Sequence, residues 1–341
     1  MAFTVLPDVY KINSISGVDT VGGDATYGYE TIQYALTDVG ALGTPGTTFE
    51  LIGTFTMTAE VDLTGWGSGG GNQIQLSFLG TGETVEGDGG RPTINTSGGF
   101  LDNYTFNGVN FVGLIIDNTS TTVRTISVDL YSRICFCDIR SDYSASNYDV
   151  FLYGSASTCY CGMTDTTLVC LDSWGIRIGS GSNQYGHIAH CDITANETAA
   201  LINTIGYFQN NVITLVGSGA AGQAMYFSSD NHGAIRNICY NNSTFTASRG
   251  IYSSSGSSDS HTMMQNYVEG FTTGYDLNAG AALVGVCDNV SYNNTADGNG
   301  DVHGESNNEV YGSSGLEADK VTPTATLVAR NSVVGPGSYC P

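Results

Sequence analysis

The chain has 341 residues, of which 46 are glycine and 12% are charged. Its formal net charge of −22 disfavours direct binding to nucleic acids and to anionic membranes, because phosphate groups repel a surface of the same sign. Hydrophobic residues make up 40% of the chain and recur at fixed spacing, which excludes a disordered polypeptide and indicates one main folded body.

Residues 1–46 are predicted to form an irregular lead-in followed by one short helix. The first residues, MAFTVLPDVYKINS, lack the basic start and the apolar middle of a signal peptide, so we expect synthesis in a cytoplasm. Helical spacing of apolar residues begins within YGYETIQYALTDV, with Asp24 as the candidate N-cap and Gly40 as the stop. Those apolar residues are Ile32, Ala35, Leu36 and Val39. We expect this helix to cover the open core at one end of a coil.

Residues 47–295 are predicted to form the coil itself, because large apolar residues recur at a nearly constant interval. The first column contains Phe100, Ile126, Phe151, Ile176, Leu201, Met225, Ile251 and Tyr275. A second column follows two positions later, at Asp102, Val128, Tyr153, Ile178, Asn203, Phe227, Ser253 and Leu277. Inward positions separated by one residue indicate β-strands, so the pattern predicts an all-β solenoid of about 25 residues per rung. Each rung is expected to have three strands and three turns.

Cysteine and asparagine residues fit the interior and the turns of such a coil. Cys135 and Cys137 recur about one rung later as Cys159 and Cys161, and three further cysteines follow at equal intervals of about two rungs. Those three are Cys191, Cys239 and Cys287. We expect them to stack inside as free thiols and to bind neither a metal nor a cofactor. Asparagines are predicted at the turns, among them Asn210, Asn211, Asn242, Asn266 and Asn289.

Residues 296–341 are expected to form a C-terminal cap or an oligomer-contact region.

Several of these segments resemble the right-handed parallel β-helix of the pectate-lyase-like superfamily. The resemblance rests on ETIQYAL, on TFELIGTFTM, and on rungs in which CDI precedes a Gly-Ile strand such as WGIRI or RGIYS. It covers roughly residues 27–295. The superfamily includes polysaccharide lyases, glycoside hydrolases, pectin esterases, virus tailspikes and fibres, capsid-decorating proteins and adhesins, so the resemblance implies a fold and leaves the chemistry open.

Two sets of residues are candidates for a functional site. If the chain is an enzyme, Asp149, Asp172 and Glu197 are its catalytic candidates, because their intervals are close to one rung and would stack these carboxylates on adjacent rungs. Alternatively, an outward ladder between the two inward columns forms an apolar stripe for an oligomer interface or for stacking on glycans. Its members are Leu152, Arg177, Ile202, Tyr226, Tyr252 and Asp276, and the proposed contacts are Leu152, Ile202, Tyr226 and Tyr252.

From these patterns we expect a non-enzymatic structural component of a virus or phage particle. It would be a capsid-decorating protein or a fibre or spike, in the form of a homotrimer in contact with capsid or tail proteins and with cell-surface polysaccharide. The expected location is the virion after synthesis in the host cytoplasm. The alternatives are a polysaccharide-degrading hydrolase or lyase, such as a depolymerase, and an adhesin that is secreted by a non-classical route.

Overall fold

The fold is an all-β parallel solenoid, as the sequence predicts. The computed structural model describes residues 9–26, 28–40, 46–63, 66, 76–80, 90–102, 108–129, 131–152, 160–179, 185–203, 205–228, 232–254, 260–277, 282–299 and 309–310. Within these ranges the chain contains 31 β-strands, numbered in chain order, and one helix. The predicted right-handed sense of the coil stays a prediction.

Three parallel sheets run along the coil, and each full rung contributes one strand to each sheet. Sheet 1 contains β1 (Val9–Asn13), β2 (Thr47–Ile52), β4 (Leu76–Gly80), β7 (Val109–Val112), β10 (Arg133–Cys135), β13 (Tyr160–Thr164), β16 (Tyr185–Ala189), β19 (Ile205–Gln209), β22 (His232–Ile235), β25 (Ser260–Met264) and β28 (Ala282–Cys287). Sheet 2 contains β3 (Thr54–Met57), β5 (Thr93–Thr96), β8 (Ile115–Asn118), β11 (Asp138–Ser141), β14 (Thr167–Cys170), β17 (Asp192–Asn196), β20 (Val212–Val216), β23 (Ile238–Asn241), β26 (Tyr267–Glu269), β29 (Val290–Tyr292) and β31 (Glu309–Val310). Sheet 3 contains β6 (Leu101–Asp102), β9 (Ile126–Val128), β12 (Tyr148–Leu152), β15 (Trp174–Ile178), β18 (Thr198–Ile202), β21 (Ala221–Phe227), β24 (Ala247–Ser253), β27 (Thr273–Leu277) and β30 (Ala296–Asn299).

The predicted columns lie on sheet 3, with a correction at three rungs. The observed inward column is Leu101, Ile126, Val150, Ile176, Ala200, Met225, Ile251 and Tyr275, and successive members are register partners on adjacent rungs. The predicted positions Phe100, Phe151 and Leu201 are therefore wrong by one residue. These strands contain consecutive apolar residues, so a shift of one position preserves an apolar column while it exchanges the two faces.

The second predicted column needs two corrections and extends beyond what the structure describes. The inward position predicted for Asn203 belongs to Ile202, which pairs with Ile178 and Phe227. Asp102 pairs with Ser127, so it belongs to the outward column and does not align with Val128. Val128, Ile178 and Phe227 lie in the inward column as predicted. Tyr153 lies outside the described residues.

The turn between sheet 1 and sheet 2 has a constant form. It has two residues, and the first adopts a left-handed conformation with φ between 49° and 56° on seven rungs. Those residues are Phe136, Asp165, His190, Asn210, Arg236, Gln265 and Asp288. A left-handed residue bends the chain sharply from sheet 1 into sheet 2, so both flanking strands stay in register with the rungs above and below. The second residue of the turn points into the solenoid.

The second turn residues form a buried asparagine ladder of Asn211, Asn237, Asn266 and Asn289. The Oδ1 atom of Asn237 accepts bonds from the backbone N–H and the Nδ2 of Asn211, at 3.1 and 2.9 Å. The Nδ2 of Asn237 donates to the Asn266 Oδ1 and to the Phe208 carbonyl, both at 3.0 Å. The same pattern joins Asn266 to Asn289. The asparagines therefore satisfy backbone groups that the turn removes from the sheets.

The cysteines whose side chains the structure describes form no disulfide and are mostly buried, although their predicted columns are wrong. Within the described part of the chain the cysteines outside any disulfide are Cys135, Cys137, Cys161, Cys170, Cys191 and Cys239, and all except Cys135 are buried. Cys161 pairs with Gly186 in sheet 1, whereas Cys137 lies in the turn that follows that sheet. The rungs of sheet 1 vary in length, so equal sequence intervals do not give equal positions. Cys159 lies outside the described residues.

The lead-in contributes a strand and a helix that is shorter than predicted. Strand β1 pairs with β2 and was not expected from the sequence. Helix α1 spans Ile32–Gly40 and buries the four predicted apolar residues. Its N-cap is Thr31, whose Oγ1 accepts from the Tyr34 N–H at 3.3 Å, so the prediction of Asp24 is wrong. Asp24 instead forms a turn with Gly28.

At the other end, β30 and β31 continue sheets 3 and 2 beyond residue 295. Residues 311–341, where most of the C-terminal cap was predicted, lie outside the described residues. The described part of the chain contains no helix long and apolar enough to cross a membrane.

Candidate functional site

Asp149, the first residue of the predicted carboxylate ladder, lies inside the solenoid and is fully buried. Its Oδ1 accepts hydrogen bonds from the Thr125 N–H and hydroxyl, both at 3.0 Å, and from the Ser141 hydroxyl at 2.8 Å. Its Oδ2 accepts from the Cys170 thiol at 3.7 Å. Burial raises the pKa of Asp149, and these hydrogen bonds oppose the shift. A side chain in this position does not reach an outer face, so the predicted placement of Asp149 on such a face is wrong.

The other two candidate carboxylates lie outside the core. Asp172 is exposed in the turn between β14 and β15. Glu197 has a left-handed backbone, with φ of 53°, in the turn before β18, and its carboxylate accepts a hydrogen bond from the Trp174 Nε1. With Asp149 directed inward, the three residues do not form a ladder along one face. Equal spacing misled the prediction because it does not distinguish an inward position from an outward one.

Leu152 and Ile202 also lie in the core, with none of either side chain exposed. Their register partners in sheet 3 include Val128, Ile178 and Phe227, which belong to the second inward column. The prediction that these two residues form an exposed stripe is therefore wrong. The outward positions on those two rungs belong to Phe151 and Leu201.

The outward column of sheet 3 contains Asp102, Ser127, Phe151, Arg177, Leu201, Tyr226, Tyr252 and Asp276. Arg177, Tyr226, Tyr252 and Asp276 occupy the outward positions that the sequence predicts for them. Phe151 is 8% exposed and Leu201 is 3% exposed, so the apolar members of this column are already covered. The column is therefore a packed surface with few exposed apolar atoms.

Aromatic rings and arginines cover the middle of this surface. The guanidinium of Arg177 lies 5.0 Å from the ring centroid of Phe151 and 5.8 Å from that of Tyr148. Trp174 packs edge-on against Tyr148, with ring centroids 4.8 Å apart. Burial is the main cause that raises the pKa of Tyr148, so its hydroxyl stays protonated. These contacts hold each side chain in one orientation.

The two tyrosines that the sequence singles out form a second cluster on the same surface. Tyr226 stacks on Tyr252 with ring centroids 4.9 Å apart and an interplanar angle of 26°. Arg249 lies 4.5 Å from the centroid of Tyr252 and makes an ion pair with Asp276 at 2.5 Å. The Tyr226 hydroxyl is 2.9 Å from the Ser254 hydroxyl. Arg249 was not predicted as a site residue, because it lies earlier on β24 than the predicted ladder position Tyr252.

A further pair of acidic residues lies at the first rung of sheet 3 and was also missed. The backbone N–H of Asp102 donates to a carboxylate oxygen of Glu60 at 3.1 Å. Partial burial raises the pKa of both carboxyl groups, and the positive charge of Arg124 opposes the shift at Asp102. The two residues are 42 positions apart in the sequence, so a search at the period of the rungs does not find them. A raised pKa brings a carboxyl group closer to the pH range in which it both donates and accepts protons.

Comparisons of the sequence with protein-family models and with curated proteins found no match in either case. The sheet 3 surface, defined by the outward column together with Tyr148, Trp174 and Arg249, is suited to packing against another surface. Its aromatic rings and guanidinium groups contact one another within the chain, and such contacts lower the entropy cost of ordering side chains on association.

Proposed function

We propose that this chain is a structural component of a virus or phage particle, either a capsid-decorating protein or a fibre or spike. It assembles as a homotrimer, contacts capsid or tail proteins, and presents surfaces to cell-surface glycans. Synthesis takes place in the host cytoplasm and lysis releases the finished particle. The resemblance of the sequence to the pectate-lyase-like β-helix proteins supports the assignment to a particle, since that superfamily includes tailspikes and capsid-decorating proteins.

The observation that carries the proposal is the packed sheet 3 surface, whose register partners repeat on successive rungs along the coil. A second copy lying alongside meets side chains spaced about 4.8 Å apart along the axis, with arginine and tyrosine prominent among them. Tyrosine and arginine are enriched among the residues that contribute most to protein interfaces. We therefore assign the surface around Tyr226, Tyr252 and Arg249 to contact between copies of the chain.

Analytical ultracentrifugation tests the assembly. The purified chain should sediment with three times the 35.7 kDa mass of the polypeptide. Tyr252→Asp should dissociate the trimer, because it removes the ring that stacks on Tyr226 and adds a carboxylate within the contact. The matched control is Tyr240→Asp, which makes the same change on the outer face of sheet 2. A monomeric wild-type chain would refute the trimer. Absence of the chain from purified particles of its source, measured by mass spectrometry, would refute the particle assignment.

The Glu60–Asp102 pair favours a second candidate function, the hydrolysis of a polysaccharide. Paired carboxylates serve as general acid and as base or nucleophile in glycoside hydrolysis. Release of reducing ends from a panel of bacterial surface polysaccharides tests this function. Glu60→Gln and Asp102→Asn should each abolish the release, while Asp172→Asn should leave it unchanged. Equal release by all four proteins would exclude this pair as the catalytic centre.

A further inference from the structure

Three tyrosines on the outer face of sheet 1 are among the most exposed large side chains of the described residues. Tyr160, Tyr185 and Tyr207 are 56%, 42% and 48% exposed. They lie on the consecutive strands β13, β16 and β19. Tyr160 and Tyr185 are register partners and stack almost parallel, with ring centroids 5.0 Å apart at 12°. Stacked along the axis of the coil, the two rings form a partly exposed wall.

A groove of about 390 Å³ lies beside this wall. Its floor is a column of register partners that runs from Arg133 through Gly162 and His187 to Tyr207. Gly162 has no side chain, so the column has a gap between the outward side chains of Arg133 and His187. The volume is within the range of about 300–1,000 Å³ that is usual for small-ligand sites. Three steps of about 4.8 Å give the column a length of about 14 Å, enough for a short oligosaccharide.

Tyr207 closes one end of the groove as a flat platform. A Cβ atom built on Gly233 would lie 2.4 and 2.6 Å from two atoms of the Tyr207 ring. The ring therefore lies across the backbone of Gly233, in the place where a side chain would otherwise project. About half of the side chain, 48%, is exposed to solvent. A platform of this kind binds the apolar face of a sugar ring.

The charge of the groove is opposite to that of the chain as a whole. Its described lining contains Arg133 and His187 and no aspartate or glutamate, whereas the chain carries 32 acidic residues. Arg133 makes no ion pair with any of the described residues. Partial burial is the main cause that lowers the pKa of His187, so near neutral pH its ring is an uncharged hydrogen-bonding group. The lining thus offers one guanidinium, one imidazole and three phenol rings.

We propose that this groove binds an oligosaccharide that carries a carboxylate, such as a uronate or a sialate. A sugar ring stacks on Tyr207, the wall of Tyr160 and Tyr185 contacts its neighbour, and the carboxylate pairs with Arg133. His187 hydrogen-bonds a hydroxyl group of the sugar. The groove specifies the glycan contact of the proposed function, and the inference rests on the proposed function for that contact alone. It does not depend on assembly into a trimer, because the groove is on sheet 1 and the assembly surface is on sheet 3.

A printed array of uronate-bearing, sialate-bearing and neutral oligosaccharides tests the proposal at 0.15 M salt, where the Debye length of about 8 Å screens the negative charge of the chain. The wild-type protein should retain acidic oligosaccharides in preference to neutral ones. Isothermal titration then uses the acidic oligosaccharide with the highest signal and its carboxyl methyl ester. Arg133→Ala should weaken binding of the acid about 10-fold and leave binding of the ester unchanged.

Variants of the platform separate stacking from folding. Tyr207→Ser should weaken binding of both the acid and the ester about 10-fold, and Tyr207→Phe should keep the affinity because it keeps the ring. Tyr240→Ser, on sheet 2, is the control, and the melting temperature of each variant reports its fold. No binding to any acidic oligosaccharide on the array would overturn the proposal. Equal affinity for acid and ester, or unchanged binding by Arg133→Ala and Tyr207→Ser, would overturn it as well. A monomeric chain that still binds would refute the assembly and leave the groove intact.

Discussion

Truncation of Asn237 to alanine tests whether the asparagine ladder holds the rungs together. The side chain of Asn237 accepts two hydrogen bonds from Asn211 and donates one each to Phe208 and Asn266. The Asn237→Ala variant leaves the backbone N–H of Asn211 and one of its amide protons without an acceptor in a buried position. At about 1–3 kcal/mol for each unsatisfied buried group, the free energy of unfolding should fall by roughly 2–6 kcal/mol.

The assay combines denaturant unfolding, followed by circular dichroism, with hydrogen exchange of the Asn211 amide. Exchange adds a local measurement, since the rungs of a solenoid interact mainly with their neighbours and need not unfold together. The Asn211 amide should exchange much faster in Asn237→Ala. Asn237→Thr should have a smaller effect, because Thr166 already occupies the corresponding turn position and accepts from the Cys137 N–H at 3.3 Å.

Asn210→Gly is the matched control, because it changes an asparagine one position before Asn211 whose side chain points away from the core. Its φ of 54° is a conformation that glycine adopts without strain. Stability should therefore stay within about 1 kcal/mol of the wild type. A loss below about 1 kcal/mol in Asn237→Ala, together with unchanged exchange at Asn211, would refute the stabilising role assigned to the ladder.

Three shorter predictions concern other positions. The pKa of Asp149 is raised in the folded protein, so its contribution to wild-type stability is greatest in acid. That contribution is lost progressively as the pH rises from 3.8, the ordinary pKa of aspartate, to the folded pKa. Asp149→Asn does not titrate, so its stability relative to the wild type should increase over the same pH range. Denaturant unfolding from pH 4 to 8 measures this gain in the free energy of unfolding, which should approach about 1.4 kcal/mol for each unit between the folded and unfolded pKa of Asp149. Equal pH profiles for the variant and the wild type would contradict the prediction. Leu152→Ala should cost about 2–5 kcal/mol in the same assay, against under about 1 kcal/mol for Val212→Ala on the exposed face of sheet 2. Phe136→Gly should leave the melting temperature unchanged or higher, because Phe136 has a φ of 55° and is 57% exposed, and a lower value would contradict the prediction.

The period of the coil could be predicted from the sequence because sheet 3 has regular rungs. Its register partners keep a nearly constant spacing, so apolar residues align from rung to rung. The turn after sheet 1 keeps its two-residue form, but the interval between successive turns is less regular. Equivalent turn positions are separated by 29 residues from Cys137 to Thr166 and by only 20 from Cys191 to Asn211. The turns that flank sheet 3 absorb these differences. A search at one period therefore finds sheet 3 and misses the tyrosine groove on sheet 1.

The face on which a residue lies was harder to predict than the rung to which it belongs. Val150, Phe151 and Leu152 are all apolar, so hydrophobicity alone does not distinguish the inward residues from the outward one. The burial of Asp149 follows from its polar partners on neighbouring strands, and no sequence interval indicates those contacts. The left-handed turns give a better reference. Tyr160 and Tyr185 begin strands that end just before the left-handed residues Asp165 and His190, so alignment on the turns places both tyrosines in one column.

The separation of the assembly surface from the groove gives the two proposals a joint consequence. In a trimer formed through sheet 3, each copy still presents sheet 1 to solvent, so the particle displays three grooves together. Multivalent contact strengthens attachment to a glycan-coated surface by about 10²–10⁴-fold without any change in the single groove. Tyr252→Asp should therefore keep the wild-type affinity in isothermal titration while its retention on a glycan-coated sensor falls. Equal retention of the trimer and the dissociated variant would show that the grooves do not act together.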